Sequence, residues 1–472
     1  MDFFNSIIQY SGRTAVITEN GDRITYDTLI ADADKLAAYI GKRSLIFMIC
    51  ENCYECIMAY IAFLRSGSVP VLINSKNDSE MLGKLTDSYK PQYVFCPADR
   101  EESFGTEVSV CGSYHLVKTE YTEAPEINPE LAVLITTSGS TGSPKFVMQS
   151  YKNIVSNANS IAQYLDIRPD DRAITTMPMS YTFGLSIIQS HLLKGAAVIA
   201  TEKTLMDKGF WTLLKEQQAT TFGGVPYIYQ MLKRLRFERM ELPSLRYITQ
   251  AGGRLSKELG LEFSEICRNK GIQFIIMYGQ TEATARMSYL PWEYAFTKAG
   301  TIGVPIPGGE MLLIDSDGRE ITESDTTGEL VYKGDNVTLG YAQCAEDLKN
   351  PDSRGGVLYT GDMAMRDSDG FYTIVGRKKR FLKLFGNRVN LDETEAMLNK
   401  NGFECVCSGK DDLMKIYIVP RNEEDMKNAV EFISLKTGLN RSAFRAVSVP
   451  SIPRNDSGKI LYSALEELYD KL

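Results

Sequence analysis

The sequence predicts an α/β fold: a large N-terminal domain of two α/β subdomains plus a small β-rich subdomain, followed by a small α+β C-terminal domain. Three observations predict it. Apolar runs of strand length alternate with helical patterns through the first two-thirds of the chain. Short strands and turns rich in Gly and Asp begin near residue 300, and a basic segment follows Arg377. The 472 residues are too many for one compact core. We place the domain boundary at Lys379, which gives domains of residues 1–378 and 379–472.

The elements of the larger domain follow from local apolar patterns. Strands are predicted at residues 45–49, 93–95, 132–135 and 197–199. Ser150 is predicted to cap a helix, because the apolar residues after it fall on one helical face. Those residues are Ile154, Ala158, Ile161, Ala162 and Leu165. The most apolar stretch, residues 57–64, is too short to span a membrane and predicts a buried helix.

Composition argues against several classes of function. The net charge of −8 disfavours a nucleic acid partner, since phosphate backbones are bound by basic surfaces. One CxxC, formed by Cys53 and Cys56, lacks the neighbouring ligands of a zinc site, and we interpret the nine cysteines as buried structural thiols. The presence of only two histidines argues against a histidine metal site and against a Ser-His-Asp triad. The first residues do not resemble a signal peptide and no membrane span is predicted, so we expect a cytoplasmic protein.

A glycine-rich loop is the sharpest chemical signal. Residues 137–145 read Thr-Ser-Gly-Ser-Thr-Gly-Ser-Pro-Lys and directly follow the apolar run at 131–135. A glycine-rich loop that leaves a strand can point several backbone N–H groups at an anion, and Lys145 adds positive charge. These features suit a triphosphate. The Walker A pattern is absent, which disfavours an ordinary P-loop kinase. The alternative is a flexible linker, which needs neither the strand before the loop nor the Pro-Lys after it.

A second motif follows the apolar run at 274–277. The motif places a hydroxyl and a carboxylate at the end of a strand, where open α/β sheets bind ligands. It consists of Tyr278, Gly279, Gln280, Thr281 and Glu282. A carboxylate there can hold Mg²⁺ directly or through water. The alternative for an isolated Thr-Glu pair is a helix cap.

Two weaker motifs lie toward the C-terminus. Asp362, in a Thr-Gly-Asp turn, precedes Arg377, and an exposed Asp can bind ribose hydroxyls. Lys459 lies in a Gly-Lys pair where a mobile loop could carry it into a site. Taken alone, the first motif is a simple turn and the second is weak evidence.

Together and in this order, the four motifs resemble the adenylate-forming superfamily, which contains acyl-CoA synthetases, non-ribosomal peptide adenylation domains and luciferases. The chain is most similar to a bacterial acyl- or aryl-acid CoA ligase, over nearly its whole length. The resemblance implies ATP, Mg²⁺ and CoA, or the phosphopantetheine of an acyl carrier protein, as cofactors and partners. It also implies that the C-terminal domain is a mobile lid that rotates at a hinge.

The resemblance implies a role for each matching residue. The β- and γ-phosphates would be held by Thr137, Ser138, Gly139, Ser140, Thr141, Gly142 and Lys145. The adenine side of the nucleotide site would comprise Ala251, Gly252, Gly253, Tyr278, Gly279 and Gln280. Thr281 would contact the α-phosphate, Glu282 would bind Mg²⁺, Asp362 and Arg377 would hold the ribose, and Lys459 would be the catalytic lysine. Lys379 would be the hinge, with Lys383 and Gly386 beside the thiol tunnel. The acyl pocket would include Tyr181, Phe183, Gly184, Gly223, Gly224 and Ala283, from segments 181–185, 223–227 and 283–287.

The sequence departs from the family pattern at three positions. Arg380 replaces an acidic or small polar residue beside the hinge, and we interpret Lys378 and Arg380 as a solvated basic face. Tyr181 stands where acyl-CoA synthetases often carry His, and Tyr462 replaces an arginine. Amino-acid-activating relatives place an Asp after the aromatic gate, where this chain has Thr182. The sequence therefore predicts a fatty or aromatic acid without an α-amino group.

Three hypotheses of function follow. The first is ATP-dependent activation of a small-molecule carboxylic acid to an acyl-adenylate, followed by transfer to CoA. The second is a stand-alone enzyme that loads an acyl or aminoacyl group onto a carrier protein. The third, from another class, is a non-catalytic nucleotide-binding protein. Glu282 and Lys459 argue against the third, because a protein that only binds nucleotide needs neither.

Overall fold

The computed structural model describes residues 6–76, 79–136, 145–378, 380–385, 387–422, 424–454 and 460–469. These residues form two compact units. The first contains the described residues up to 310 together with 333–358, and the second contains 311–332 and the described residues from 359 onward. The domain boundary at Lys379 stays a prediction.

The strands are numbered in chain order. The first sixteen are β1 Thr14–Ile17, β2 Arg23–Thr25, β3 Leu45–Cys50, β4 Val69–Asn74, β5 Tyr93–Pro97, β6 Thr106–Cys111, β7 Tyr114–Lys118, β8 Leu131–Thr136, β9 Phe146–Ser150, β10 Arg172–Ile174, β11 Ala197–Ile199, β12 Thr221–Gly224, β13 Tyr247–Gln250, β14 Gln273–Tyr278, β15 Ser288–Leu290 and β16 Val304–Pro305. The remaining strands are β17 Gly309–Ile314, β18 Gly328–Gly334, β19 Gly340–Ala342, β20 Val357–Arg366, β21 Tyr372–Arg377, β22 Phe381–Leu384, β23 Asn387–Asn390, β24 Glu404–Lys410, β25 Leu413–Val419 and β26 Phe444–Ser448.

The α-helices alternate with these strands as the sequence predicts. They are Tyr26–Ala37, Tyr54–Arg65, Ser79–Tyr89, Tyr151–Tyr164, Thr182–Leu193, Lys208–Glu216, Pro226–Arg234, Lys257–Lys270, Leu391–Lys400, Asp425–Thr437 and Tyr462–Tyr469. The four strands predicted from apolar runs are confirmed as parts of β3, β5, β8 and β11. Ser150 caps its helix as predicted, and its side chain accepts from the Asn153 backbone N–H.

Two large sheets dominate the first unit. The nine-stranded sheet has the order β16-β15-β14-β13-β12-β10-β11-β1-β2, and the eight-stranded sheet has the order β19-β9-β8-β4-β3-β5-β7-β6. Within the first sheet, β10, β12, β13 and β14 are parallel neighbours. The fold class predicted from the sequence is therefore confirmed in its α/β character, with parallel strands in both large sheets.

Two buried helices complete the core of the first unit. Every residue from 57 to 64 is buried in helix Tyr54–Arg65, which confirms the predicted buried helix. Helix Thr182–Leu193 is buried along all but its last residue and contributes Leu185, Ile188 and Leu192 to the same apolar core. A helix that is buried on every face is typical of the core of a large protein.

The second unit is built around smaller sheets. They are the four-stranded β17-β18-β20-β21, the β22-β23 hairpin and the three-stranded β24-β25-β26. Part of β17, β18 and β20 belongs to the first unit. Helices Leu391–Lys400 and Asp425–Thr437 pack on the three-stranded sheet through an apolar core that includes Leu398, Ile416 and Ile433.

The interpretation of Arg380 as part of a solvated basic face is wrong. Its side chain is only 18% exposed and forms ion pairs with Asp392 and Glu395. Its guanidinium also lies 4.2 Å from the ring centroid of Tyr462 and donates to that hydroxyl at 2.6 Å. The two departures from the family pattern in this region, Arg380 and Tyr462, are thus direct partners.

Lys378 is exposed as expected, although it pairs with Glu329.

The cysteine prediction is confirmed in its main point. All nine cysteines lie in the described part of the chain; none of them forms a disulfide, six are buried and three are intermediate. No group of three or more His, Cys, Asp or Glu side chains among the described residues could hold a metal ion. Within the same residues, no helix is long and apolar enough to cross a membrane.

His191 is buried and neutral inside helix Thr182–Leu193. Its Nδ1 lies 2.8 Å from the Ile187 carbonyl oxygen, which can only accept, so Nδ1 carries the proton. Its Nε2 lies 3.0 Å from the Tyr247 hydroxyl and accepts from it. Burial lowers the pKa of His191 to about 4.

Because the folded-state pKa of His191 lies below the unfolded value of about 6.5, the unfolded chain takes up the proton first as pH falls. We expect the free energy of unfolding to drop by about 3 kcal/mol between pH 6.5 and pH 4 from this residue alone. Urea denaturation at intervals from pH 7.5 to pH 4 measures it. His191→Gln should flatten the slope. Equal slopes in His191→Gln and the native chain would contradict the assignment.

Candidate active site

The carboxyl ends of four parallel strands gather most of the predicted site residues. Strand β10 leads toward Tyr181, β12 ends at Gly224, β13 leads into Ala251 and β14 ends at Tyr278. Because β12, β13 and β14 pair in parallel register, these ends lie along one edge of the sheet. Ligands of open α/β sheets bind at this edge. The structure therefore brings together the segments predicted to hold the adenine, the α-phosphate and the acyl group.

Contacts across these loops confirm that they are neighbours. A Cβ atom on Gly252 would lie 2.7 Å from the Tyr181 hydroxyl oxygen. Thr182 Oγ1 lies 3.5 Å from Thr281 Oγ1. Gln280 Nε2 donates to the Tyr278 hydroxyl at 3.3 Å. The predicted adenine and acyl segments thus meet at Tyr181 and Thr281.

The chain turns sharply just after Glu282. Residues Thr281–Ala283 form one short 3₁₀ helix, and Thr284 follows with φ 67° and ψ −52°. The Ala285 N–H donates to the Ala283 carbonyl at 2.7 Å, which makes Thr284 the centre of a γ-turn of the rare, strained type. The Thr284 hydroxyl donates to the Asn336 carbonyl at 2.7 Å. Such strain persists only where surrounding contacts hold it, and it is characteristic of functional sites.

Gly279 permits that turn. A Cβ atom at this position would lie 1.8 Å from the Ala285 carbonyl oxygen, so any other residue would displace the returning chain. The glycine in the second motif is therefore explained by the close approach of two backbone segments.

Glu282 is held by residues that the sequence did not indicate. The Tyr341 hydroxyl donates to its Oε1 at 2.6 Å. The Thr338 N–H and hydroxyl both donate to the Glu282 backbone carbonyl at 3.0 Å, and Arg354 Nη1 reaches the same carbonyl at 3.3 Å. Burial and the Glu282 carboxylate raise the pKa of Tyr341, so this tyrosine stays a neutral donor. Glu282 is thus fixed in orientation.

Two cations lie against the ring of Tyr341. Lys145 Nζ is 3.8 Å from the centroid of the Tyr341 ring, and the Arg354 guanidinium is 4.7 Å from the same centroid. Strand β19 carries Tyr341 to this position because it pairs with β9, where Tyr341 opposes Val147, two residues after Lys145. One carboxylate and two cations around a neutral phenol suit a Mg²⁺–triphosphate, since Mg²⁺ binds one or two carboxylates, phosphate oxygens and water.

The acyl segment is closely packed. Phe183 is 3% exposed and Ala283 is fully buried. A Cβ atom on Gly223 would lie 2.9 Å from the Phe183 ring, and one on Gly184 would lie 2.3 Å from the Pro178 carbonyl oxygen. These glycines are therefore required by close packing around Phe183 and the start of its helix.

The predicted ribose pair lies in the second unit. Asp362 and Arg377 face each other across the β20–β21 hairpin, and Arg377 Nε lies 3.0 Å from Asp362 Oδ1. Asp362 is 4% exposed, and the Arg377 side chain is 64% exposed. Lys383, predicted beside the thiol tunnel, is exposed on β22. The roles of these residues stay predictions.

Several predicted site residues lie outside the described residues. They are Thr137, Ser138, Gly139, Ser140, Thr141, Gly142, Lys379, Gly386 and Lys459.

The chain is similar in sequence to known proteins. The family model described as AMP-binding enzyme matches residues 3–342. Among curated relatives, the 2-succinylbenzoate–CoA ligase of Bacillus cytotoxicus is 27% identical over 97% of this chain and 96% of its own length. The ligase of the same name from Bacillus mycoides is also 27% identical, over 98% and 96%.

Solved structures share the fold. The O-succinylbenzoate coenzyme A synthetase of Bacillus subtilis in complex with AMP has a TM-score of 0.80 at 23% identity, covering 98% of each chain. ATP-bound MatB from Rhodopseudomonas palustris has a TM-score of 0.81 at 22% identity, covering 99% of this chain and 98% of its own. The overall architecture predicted from the sequence, a large N-terminal domain with sheets and a small C-terminal domain, is confirmed by these likenesses. The family model covers well over half of the sequence, and the chain belongs to the family of AMP-binding enzymes.

Proposed function

We propose that the protein activates a carboxylic acid with ATP to an acyl-adenylate and then transfers the acyl group to the thiol of CoA. The observation that carries the proposal is the orientation of Glu282 by Tyr341, whose ring also contacts Lys145 and Arg354. Membership of the AMP-binding family and two relatives named as acid–CoA ligases support it. A solved neighbour in complex with its acyl-adenylate intermediate also has this fold.

In the first step, an oxygen of the substrate carboxylate attacks the α-phosphorus. The bond from that phosphorus to the bridging oxygen of the β-phosphate breaks, and pyrophosphate leaves with the electron pair. Lys145 and Arg354 would neutralise phosphate charge, and Thr281 would donate to the α-phosphate. Glu282 would hold Mg²⁺, which neutralises charge on the phosphate oxygens when bound. Lys459 is proposed to contact the carboxylate and the α-phosphate.

In the second step, the thiol sulfur of CoA attacks the acyl carbonyl. The bond between the acyl carbon and the phosphate oxygen breaks, AMP leaves and the thiol proton passes to solvent. We also propose a rotation at Lys379 between the two steps, on the basis of the sequence. The sequence likewise supports ribose contacts by Asp362 and Arg377, and a cytoplasmic location.

A thioester assay in which a phosphopantetheinylated carrier protein replaces CoA separates the first two hypotheses of function.

Tyr341→Phe removes one hydroxyl and leaves Glu282 without its orienting donor. Loss of a residue that orients a metal ligand costs about 10- to 100-fold in metal affinity or activity. We expect the Mg²⁺ concentration for half-maximal adenylation to rise by about that factor. A magnesium titration of pyrophosphate exchange measures it. Tyr359→Phe is the matched control, because Tyr359 is 65% exposed. An unchanged magnesium requirement would show that Tyr341 has no part in metal binding.

Lys459→Ala should slow adenylate formation by about two to three powers of ten while ATP binding is retained. The reason is the loss of one positive charge that acts on the transition state. Single-turnover adenylate formation and ATP binding by calorimetry give the two quantities. Lys436→Ala serves as the control lysine. Near-normal adenylation by Lys459→Ala would overturn the catalytic role.

The native enzyme should prefer fatty or aromatic acids without an α-amino group over proteinogenic amino acids. The loop and helix start at residues 179–186 contain no carboxylate to pair with a substrate ammonium. An unpaired ammonium there would cost several kcal/mol. Pyrophosphate exchange across a panel of both acid classes measures the preference. A clear preference for an amino acid would refute this specificity and leave the adenylating chemistry in place.

A further inference from the structure

Asn52 connects the two large sheets at the loop that leads into the predicted acyl pocket. It lies two residues after the end of β3, in the eight-stranded sheet, and is 6% exposed. Its Oδ1 accepts from the Met179 N–H at 2.9 Å, and its Nδ2 donates to the Met177 carbonyl at 3.2 Å. Its own N–H donates to Oε1 of Glu202, which follows β11 of the nine-stranded sheet, at 2.7 Å. One buried amide thus uses both of its polar atoms on a single loop.

That loop fits closely against the first turn of helix Thr182–Leu193. The Tyr181 N–H donates to the Pro178 carbonyl at 3.0 Å. A Cβ atom on Gly184 would lie 2.3 Å from the Pro178 carbonyl oxygen and 2.6 Å from the Met177 carbonyl oxygen. The position of the loop therefore determines where Tyr181 and the start of the helix lie.

The segment that Asn52 fixes carries the predicted pocket residues Tyr181, Phe183 and Gly184. The rings of Tyr181 and Phe183 meet edge to face, with 6.5 Å between their centroids. Phe183 also packs against β12, where a Cβ atom on Gly223 would lie 2.9 Å from its ring. Because close-packed interiors leave few voids, a small shift of the loop would change the shape of this pocket.

We propose that Asn52 is a positioning residue that sets the shape of the acyl pocket, and through it the choice of acid, by fixing the loop before Tyr181. The proposal rests on the acid-activating function above. Buried backbone groups are almost always hydrogen-bonded, so loss of the amide would force the N–H of Met179 and the carbonyl of Met177 toward new partners. The hydrogen bonds of Asn52 described above lie outside the segments predicted to hold the nucleotide. Its loss should therefore affect the acid and not ATP.

The experiment compares Asn52→Leu with Gln92→Leu in pyrophosphate exchange across straight-chain and aromatic acids. Gln92 is also a buried amide, 3% exposed, and it serves the opposite end of β3. Its Oε1 accepts from the Leu45 N–H at 2.9 Å. Its Nε2 donates to the carbonyls of Lys90 and Glu123 at 2.7 and 3.1 Å. Both substitutions remove a buried amide that holds backbone groups, so both should lower the midpoint of thermal unfolding.

Asn52→Leu should lower kcat/KM for the best acid by about 10- to 100-fold, since misplacement of a site by about 1 Å has an effect of this size. KM for ATP should stay as in the native protein. A fitted apolar pocket distinguishes acids that differ by one methylene by about 10- to 200-fold, and in Asn52→Leu this ratio should fall toward one. Gln92→Leu should retain both the native kcat/KM and the native ratio.

Asn52→Asp keeps the acceptor for the Met179 N–H and loses the donor to Met177, so it should show a smaller loss of kcat/KM. This variant decides the outcome if Asn52→Leu fails to fold. Acid kinetics and selectivity equal to those of Gln92→Leu would overturn the proposal, and so would a loss that falls equally on ATP and on the acid. Exchange with none of the acids by the native protein would instead count against the adenylating function.

Discussion

The parallel pairing of β10, β12, β13 and β14 is the constraint on which the rest of the site depends. Parallel strands place all their carboxyl ends at one edge, so four loops separated by up to about a hundred residues become neighbours. A slip of one residue between two of these strands would turn their side chains to the opposite faces of the sheet. The contacts of Tyr181 with Gly252, and of Thr182 with Thr281, exist only in this register.

A second group of contacts converts this edge into a site of defined geometry. The chain between Asn336 and Arg354 returns to the loop after β14 and supplies donors to Glu282 and an acceptor to Thr284. The strained turn at Thr284 is stabilised from outside its own segment. Because Tyr341 also lies against Lys145, one residue connects the predicted metal ligand with the end of the phosphate loop. The arrangement gives the Glu282 side chain little freedom to rotate.

Local patterns predicted much of the architecture and many positions of the site. Strands and helices followed from apolar periodicity, and Ser150 followed from its polar side chain before an apolar helix face. The glycine-rich loop and the Tyr278–Glu282 segment were recognisable because their chemistry is continuous in sequence. Tyr341 and Arg354 could not be found in this way. Each acts through partners far away in the chain, and no local pattern marks an isolated Tyr or Arg as functional. The error at Arg380 has the same origin, since a run of basic residues does not reveal the carboxylates that will surround one member.

The two tight glycines around Phe183 differ in what surrounds them. The space next to Gly184 is closed by backbone carbonyls of residues 177 and 178, which cannot move without shifting the loop. The space next to Gly223 is closed by the outer ends of Phe183 and Ile187, which are side chains. Any side chain at position 184 would therefore displace the backbone, so directed evolution could not use this position to change the substrate range. A larger residue at position 223 can be accommodated if a smaller residue is introduced at 183 or 187 at the same time. Changes at this position therefore require paired substitutions.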